Sequence, residues 1–150
     1  MSIMKVTHLE ATTRTRLATV VLQAPLLEAA QRLAHAQIGL VVVCDPDGAM
    51  AGVISKTDIV RQIGHCAGSA CRTLASDLMT REVVFCHPFD LLSDVLALMR
   101  QHGLVHVPVI DDHRRPLGVL NARDALHALV ADGAYEQSLL IDYVMGVGYH

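Results

Sequence analysis

The chain has 150 residues, 52% of them hydrophobic, and carries 12 Lys+Arg against 15 Asp+Glu for a net charge of −3. That is ample apolar material for one compact domain or two small ones, which excludes a disordered chain. The mildly acidic balance leaves no global electrostatic footprint for nucleic acid or an anionic membrane, and no apolar stretch approaches the ~20 residues of a membrane span.

From the N-terminus, Glu10, Arg14 and Arg16 interrupt the stretch where a secretory signal would be continuously apolar, so a cytoplasmic setting is expected. LATVVL (17 to 22) is a short β-branched run closed by Pro25, which reads as a strand. Leu26, Ala29, Ala30 and Leu33 then lie at i, i+3, i+4 and i+7, one stripe of a helix. IGLVVVC (38 to 44) is apolar on both faces and is expected to be a central strand. DPDG makes a turn, AGVI a third strand, and TDIVRQI starts a closing helix. GHCAGSACRTLASD (64 to 77), rich in small residues, reads as a linker with a helical start. The same order then recurs: strand VVFC (83 to 86), helix stripe Leu92, Val95, Leu96 and Met99, strand LVHVPVI (104 to 110), turn DDHRRP, strand LGVL and helix ARDALHALV. Cys44, Cys66, Cys71 and Cys86 lack paired short spacings and read as reduced, mostly buried thiols.

Sliding the chain against itself by 66 residues aligns it without a gap from Leu17 to Ile63. Leu26, Val41, Val43, Asp45, Gly52, Val53 and Asp58 fall on Leu92, Val107, Val109, Asp111, Gly118, Val119 and Asp124. The unit is β-α-β-β-α, written twice, an α/β (α+β) chain. The expected divisions are a first repeat over 12–66, a linker over 67–77, a second repeat over 78–131 and a tail over 132–150. In the tail, Leu139, Leu140, Tyr143 and Val144 form an apolar stripe suited to docking on the chain itself or on a second subunit.

Two such copies, with an IG-x-VVV strand, DLMT at Asp77 to Thr80, GLVHVPVID, and GVISKTD and GVLNARD closing the copies, resemble a tandem pair of cystathionine β-synthase (CBS) domains over roughly residues 12 to 131. The resemblance implies a pseudo-twofold disc whose clefts bind adenine nucleotides and, less often, S-adenosylmethionine or NAD. Such pairs usually regulate an attached enzyme or channel; a stand-alone regulatory module is expected here.

Two readings fit Ser55-Lys-Thr-Asp58 and Asn121-Ala-Arg-Asp124. Each satisfies a capping box, in which residue 55 or 121 accepts from the N–H three residues on and the aspartate reaches back. The same strand-to-helix junction leaves backbone N–H groups and a partial positive charge for phosphate, and a carboxylate one turn in can accept from ribose hydroxyls. The glycine six residues earlier, Gly52 or Gly118, is expected to keep a side chain out of the cleft. By position, the resemblance implies Gly39, Leu40, Ser55, Thr57 and Asp58 as binding residues in copy one, and Thr80, Val105, His106, Asn121, Arg123 and Asp124 in copy two. The backbone at 39–40 and 105–106 would hold the adenine edge, and Lys56, Arg123 and Arg14 are candidates for phosphate charge. Copy one carries the better phosphate motif and copy two more positive charge.

Other groupings carry less. His65, Cys66 and Cys71 match no zinc spacing, and neighbours Cys86 and His87 on a strand point to opposite faces. His113-Arg114-Arg115 reads as a solvated turn, and the sparse aromatics are poorly placed for nucleic-acid bases. The expected function is therefore a module that binds AMP, ADP or ATP between the repeats and signals to a protein partner by population shift. A ligand-free homodimerisation module is the alternative. An enzyme is disfavoured, because no nucleophile–base pair or carboxylate dyad stands out.

Overall fold

The computed structural model describes residues 3–66 and 72–133. Cys71 and the expected stripe of Leu139, Leu140, Tyr143 and Val144 lie outside the described residues, as do the side chains of His65 and Cys66. A 3-10 turn (Val6–Leu9) and α1 (Glu10–Thr15) precede the first repeat, which runs β1 (Thr19–Val21), α2 (Leu26–Leu33), β2 (Leu40–Cys44), β3 (Met50–Ser55) and α3 (Lys56–Cys66). Then α4 (Ala75–Leu78) leads to α5 (Leu92–His102), β4 (His106–Ile110), β5 (Pro116–Asn121) and α6 (Ala122–Ala131).

In the first repeat β2 lies between parallel β1 and antiparallel β3. Every residue of β2 is buried, as expected from a strand with no polar face. Val41 and Val43 enter the core of the first repeat with Leu26, Ala29 and Ile54. Leu40, Val42 and Cys44 point the other way, into a layer completed by Ile110 and Val119 of the second repeat. Each such fully buried aliphatic side chain contributes about 1.5–3 kcal/mol, so this middle layer welds the repeats together. The α5 stripe Leu92, Val95, Leu96 and Met99 is buried as its spacing predicts.

The second repeat departs from the expected pattern at its first strand. VVFC does not form a strand; a single parallel bridge, Cys86 to Val109, remains. The reason is one residue. In the first repeat Val42 N donates to Ala18 O at 2.9 Å, but the residue 66 positions on from Val42 is Pro108, which has no N–H to give. The second sheet is therefore the hairpin β4–β5 alone. Its turn and that of the first repeat are closed alike, with Asp111 accepting from the N–H groups of Arg115 and His113, and Asp45 from those of Asp47 and Ala49.

Each repeat is completed by the chain segment preceding the other. Residues 72–80 lie on the first repeat, where Leu26 N donates to Thr73 O, Ala75 N to Ala24 O, and Val53 and Thr80 exchange both backbone bonds. The N-terminal arm lies on the second: Val6 N donates to Asp90 O, Leu92 N to Met4 O, and the Val6 side chain sits in the core with Leu92 and Leu126. Gly52 and Gly118 make this exchange possible. A Cβ on Gly52 would meet Thr80 O at 2.7 Å and Met79 Sδ at 2.8 Å; on Gly118 it would meet Thr13 Oγ1 at 2.6 Å and the Thr13 backbone at 2.9 Å. Thr13 and Met79 are themselves 66 apart, so the two contacts are equivalent. The expectation that these glycines keep the clefts open is thus corrected: their bare faces seat the crossed arms.

Candidate functional site

The repeat places two strand-to-helix junctions in equivalent settings. Leu40 pairs across the ladder with Ser55, and His106 with Asn121, so each GVx[S/N]xxD segment lies beside the start of its own repeat's β2 or β4. Gly39 brings the junctions together, because a Cβ there would overlap the His106 ring. Gly39, Leu40 and Ser55 from one repeat and His106, Asn121 and Asp124 from the other therefore surround one inter-repeat region.

At the first junction the capping box forms in full. Asp58 N donates to Ser55 Oγ at 3.3 Å, and Ser55 N donates to Asp58 Oδ2 at 2.9 Å. Arg61 Nη1 lies 3.7 Å from the other carboxylate oxygen. Lys56 and Thr57 occupy the first turn of α3 and are exposed, where their backbone and side chains are free to meet an anion.

At the second junction only half of the box forms, which corrects the expectation of two alike. Asn121 Oδ1 accepts from Arg123 N at 2.9 Å and Asp124 N at 3.1 Å, but Asp124 does not reach back. Its carboxylate is held by Arg16, whose Nε donates to Oδ2 at 2.6 Å and Nη2 to Oδ1 at 3.2 Å. This two-pronged contact is the strong geometry for guanidinium and carboxylate. A third guanidinium nitrogen, Nη1, donates to Gln37 O. Val105 is half exposed, and its carbonyl accepts from Ala122 N at the start of α6. Arg123 is exposed.

Two expected residues stand elsewhere. The resemblance assigns Thr80 to the second copy, yet its backbone pairs with Val53, two residues before Ser55, on the first repeat. Arg14 points away on α1, 70% exposed and paired with Glu10. Arg16, which the structure brings onto Asp124, is not singled out by the sequence reading; the signal available is the repeat itself, since the position 66 residues on is Glu82 and the pattern reverses charge there.

His106 connects these groups. Because Asn121 Oδ1 is committed to the helix N–H groups, Asn121 presents its NH2 to His106 Nε2 at 3.1 Å, which requires that nitrogen to be an acceptor. Burial, and then the charges of Arg16 and Lys56, hold the imidazole below its ordinary 6.5, with Asp124 opposing. A lowered folded-state value means that His106 favours the fold above pH 6.5 and that this contribution is lost as pH falls from 6.5 through the folded value. The melting temperature of the wild type is expected to drop more steeply with acidification below pH 6.5 than that of His106→Gln, measured side by side; parallel curves would show that His106 does not titrate in the fold.

Of the four cysteines, the side chains of Cys44 and Cys86 are described, and both are buried. Cys86 is buried and free, its pKa pushed up to about 12 by burial and by Asp90; burial likewise raises Cys44. His87 turns its ring to Ile110 O instead of Cys86. Among the described residues no three His, Cys, Asp or Glu side chains converge as a metal site, and no helix is long and apolar enough to cross a membrane.

The chain is thus built as two crossed repeats that meet through two cap-bearing junctions, a tandem pair, and comparison with known proteins finds the same pairing. The CBS domain family matches twice, over residues 7–65 and 75–131. The chain belongs to the CBS domain family and carries two such domains. Its fold is similar to a CBS-domain containing protein from Agrobacterium tumefaciens, with TM-score 0.72 and 28% identity, covering 83% of this chain and 98% of that one. The same fold, at 23% identity and TM-score 0.72 over 87% of this chain and 99% of that one, occurs in a CBS domain pair in complex with 5′-methylthioadenosine and S-adenosyl-L-methionine. It occurs again in CBSX2 in complex with AMP, at 20% identity and TM-score 0.72 over 86% and 98%. Among curated relatives, L-aspartate semialdehyde sulfurtransferase of Methanocaldococcus jannaschii is 27% identical over 99 residues, which is 66% of this chain but 18% of that protein. The chain thus spans less than a fifth of that relative.

Proposed function

We propose that this CBS pair is a regulatory module that binds an adenosine-containing ligand, AMP, ADP or ATP before S-adenosylmethionine or NAD, between its repeats. The observation that carries this reading is the pair of junctions at Ser55–Asp58 and Asn121–Asp124, where a capped helix start and a carboxylate lie beside the first residues of β2 and β4, Leu40 and His106. Related pairs in complex with AMP, or with S-adenosyl-L-methionine, support the ligand class. The module acts by binding, not turnover. A ligand bridging both repeats shifts their packing only as far as it prefers one arrangement, and a protein partner reads the result. Val60 and Ile63, 70% and 61% exposed and one turn apart on α3, offer an apolar stripe for a homodimer. The buried free thiols Cys44 and Cys86 suit a reducing, cytoplasmic setting.

Thermal unfolding with AMP, ADP, ATP, NAD and S-adenosylmethionine tests this reading. At about 100 times the dissociation constant, a single-site ligand stabilises by ~2.7 kcal/mol, a shift on the order of 5 to 10 °C for a chain of this size. The shift is expected for at least one ligand and is lost in Asp58→Ala or Asp124→Ala, according to the cleft used. A second reading, a ligand-free dimerisation module, is favoured by the full engagement of Asp58 and Asp124 with protein partners. The absence of any shift, with a dimer in sedimentation, would select it.

A further inference from the structure

Asp58 and Asp124 are equivalent in the repeat, yet they hold different partners. Asp58 accepts from its own helix cap, a bond that water or a hydroxyl can replace, and its other oxygen has only a long 3.7 Å ion pair with the exposed Arg61. Asp124 commits both oxygens to Arg16. The arms explain the difference, since Arg16 follows Thr13 as Glu82 follows Met79. The first cleft has an acid where the second has its clamp.

Arg16 and Asp124 are 23% and 22% exposed in their side chains, so neither is readily left without a counter-ion. A ligand that seats its ribose hydroxyls side by side on Asp124 competes with Arg16 for the face of the carboxylate that the guanidinium now covers. Where it displaces Arg16, it does best to supply the guanidinium with another anion. A nucleoside has none to offer. A 5′-phosphate has two oxygens that fit the same planar fork, and Lys56 and Arg16 both act on the His106 imidazole, so two positive charges converge on this region. We infer that Arg16 makes the cleft of Asn121 and Asp124 selective for phosphate-bearing adenosine ligands over uncharged adenosines, by exchanging Asp124 for the phosphate. This inference rests on the proposed function, that the clefts take adenosine ligands.

Calorimetric titration of AMP and of adenosine into the full chain tests it, with Asp58→Ala in the background so that only the second cleft is read. AMP is expected to bind about 10- to 100-fold more tightly than adenosine, the worth of a charge-assisted contact. Adding Arg16→Met removes that preference, weakening AMP by a similar factor while adenosine binds as well or better, because Asp124 is then unclaimed. Loss of fold cannot produce this crossing, since it weakens both ligands. Arg16→Lys, which keeps the charge without the fork, retains a reduced preference and serves if the methionine variant is unstable. AMP affinity unchanged by Arg16→Met, or equal loss for both ligands with an unchanged circular dichroism spectrum, overturns the role of Arg16 and leaves the proposed function standing. No binding of either ligand to the wild type or to any variant overturns both.

Discussion

Gly118→Val is expected to destabilise the chain by about 3 kcal/mol, the upper end of the usual overpacking cost. The new Cβ would stand 2.6 Å from Thr13 Oγ1, 2.8 Å from Thr13 Cβ and 2.9 Å from the Thr13 backbone carbon. A rotamer change of Thr13 can relieve the first contact but not the last. The helix α1 must therefore lift from β5, taking with it Thr13, which is buried, and loosening Val6 from its place against Leu92 and Leu126. Arg16 follows directly on α1, so its hold on Asp124 weakens too. Urea unfolding should show the loss of stability, and trypsin should cut at Arg14 and Arg16 far faster in the variant. Gly64→Ala is the control. Nothing lies within 4 Å of a Cβ there, and alanine in a helix interior gains about 0.5–1 kcal/mol over glycine. Equal stability of Gly118→Val and wild type would mean that the arm is not seated on that glycine.

Ile54→Ala should cost about 2–5 kcal/mol, the range for emptying a fully buried aliphatic site. Ile54 is completely buried in the first repeat's core and directly precedes Ser55, so the cavity lies under the first junction. The more informative result concerns the other repeat. Residues 72–80 are bonded to the first repeat and the N-terminal arm to the second, and Leu40, Val42, Ile110 and Val119 share one buried layer. Neither half can open without stripping contacts from the other. Hydrogen exchange of the β4 and β5 amides is accordingly expected to accelerate by the same factor as that of β2 and β3 when Ile54 is cut back, as in a single cooperative unit. Unchanged protection in β4 and β5 would show that the repeats unfold separately.

Much of this architecture was legible in the residues because it is local. The 66-residue self-match, the buried stripe of α5 and the two-faced burial of β2 follow from apolar spacing, which reports which side of an element meets a core. The first capping box was legible for the same reason, since Ser55 and Asp58 are three residues apart and need no third party. The missing second-repeat strand was legible in principle at Pro108, whose lack of an N–H outweighs the β-branched run that would have paired with it.

What the tertiary structure alone decided is who stands next to whom across long stretches of chain. Spacing puts an aspartate at residue 124, but it cannot say that Arg16, 108 residues earlier, takes both of its oxygens. Nor can it say that the glycines at 52 and 118 serve the crossed arms instead of the clefts. Both follow from the exchange of arms between repeats, a choice of chain path that leaves no periodicity to read. The sequence by itself determined the repeat, its elements and the family they resemble. The packing of the arms determined that two nearly identical junctions would differ in charge, because the arm that reaches the second carries an arginine where the other carries a glutamate.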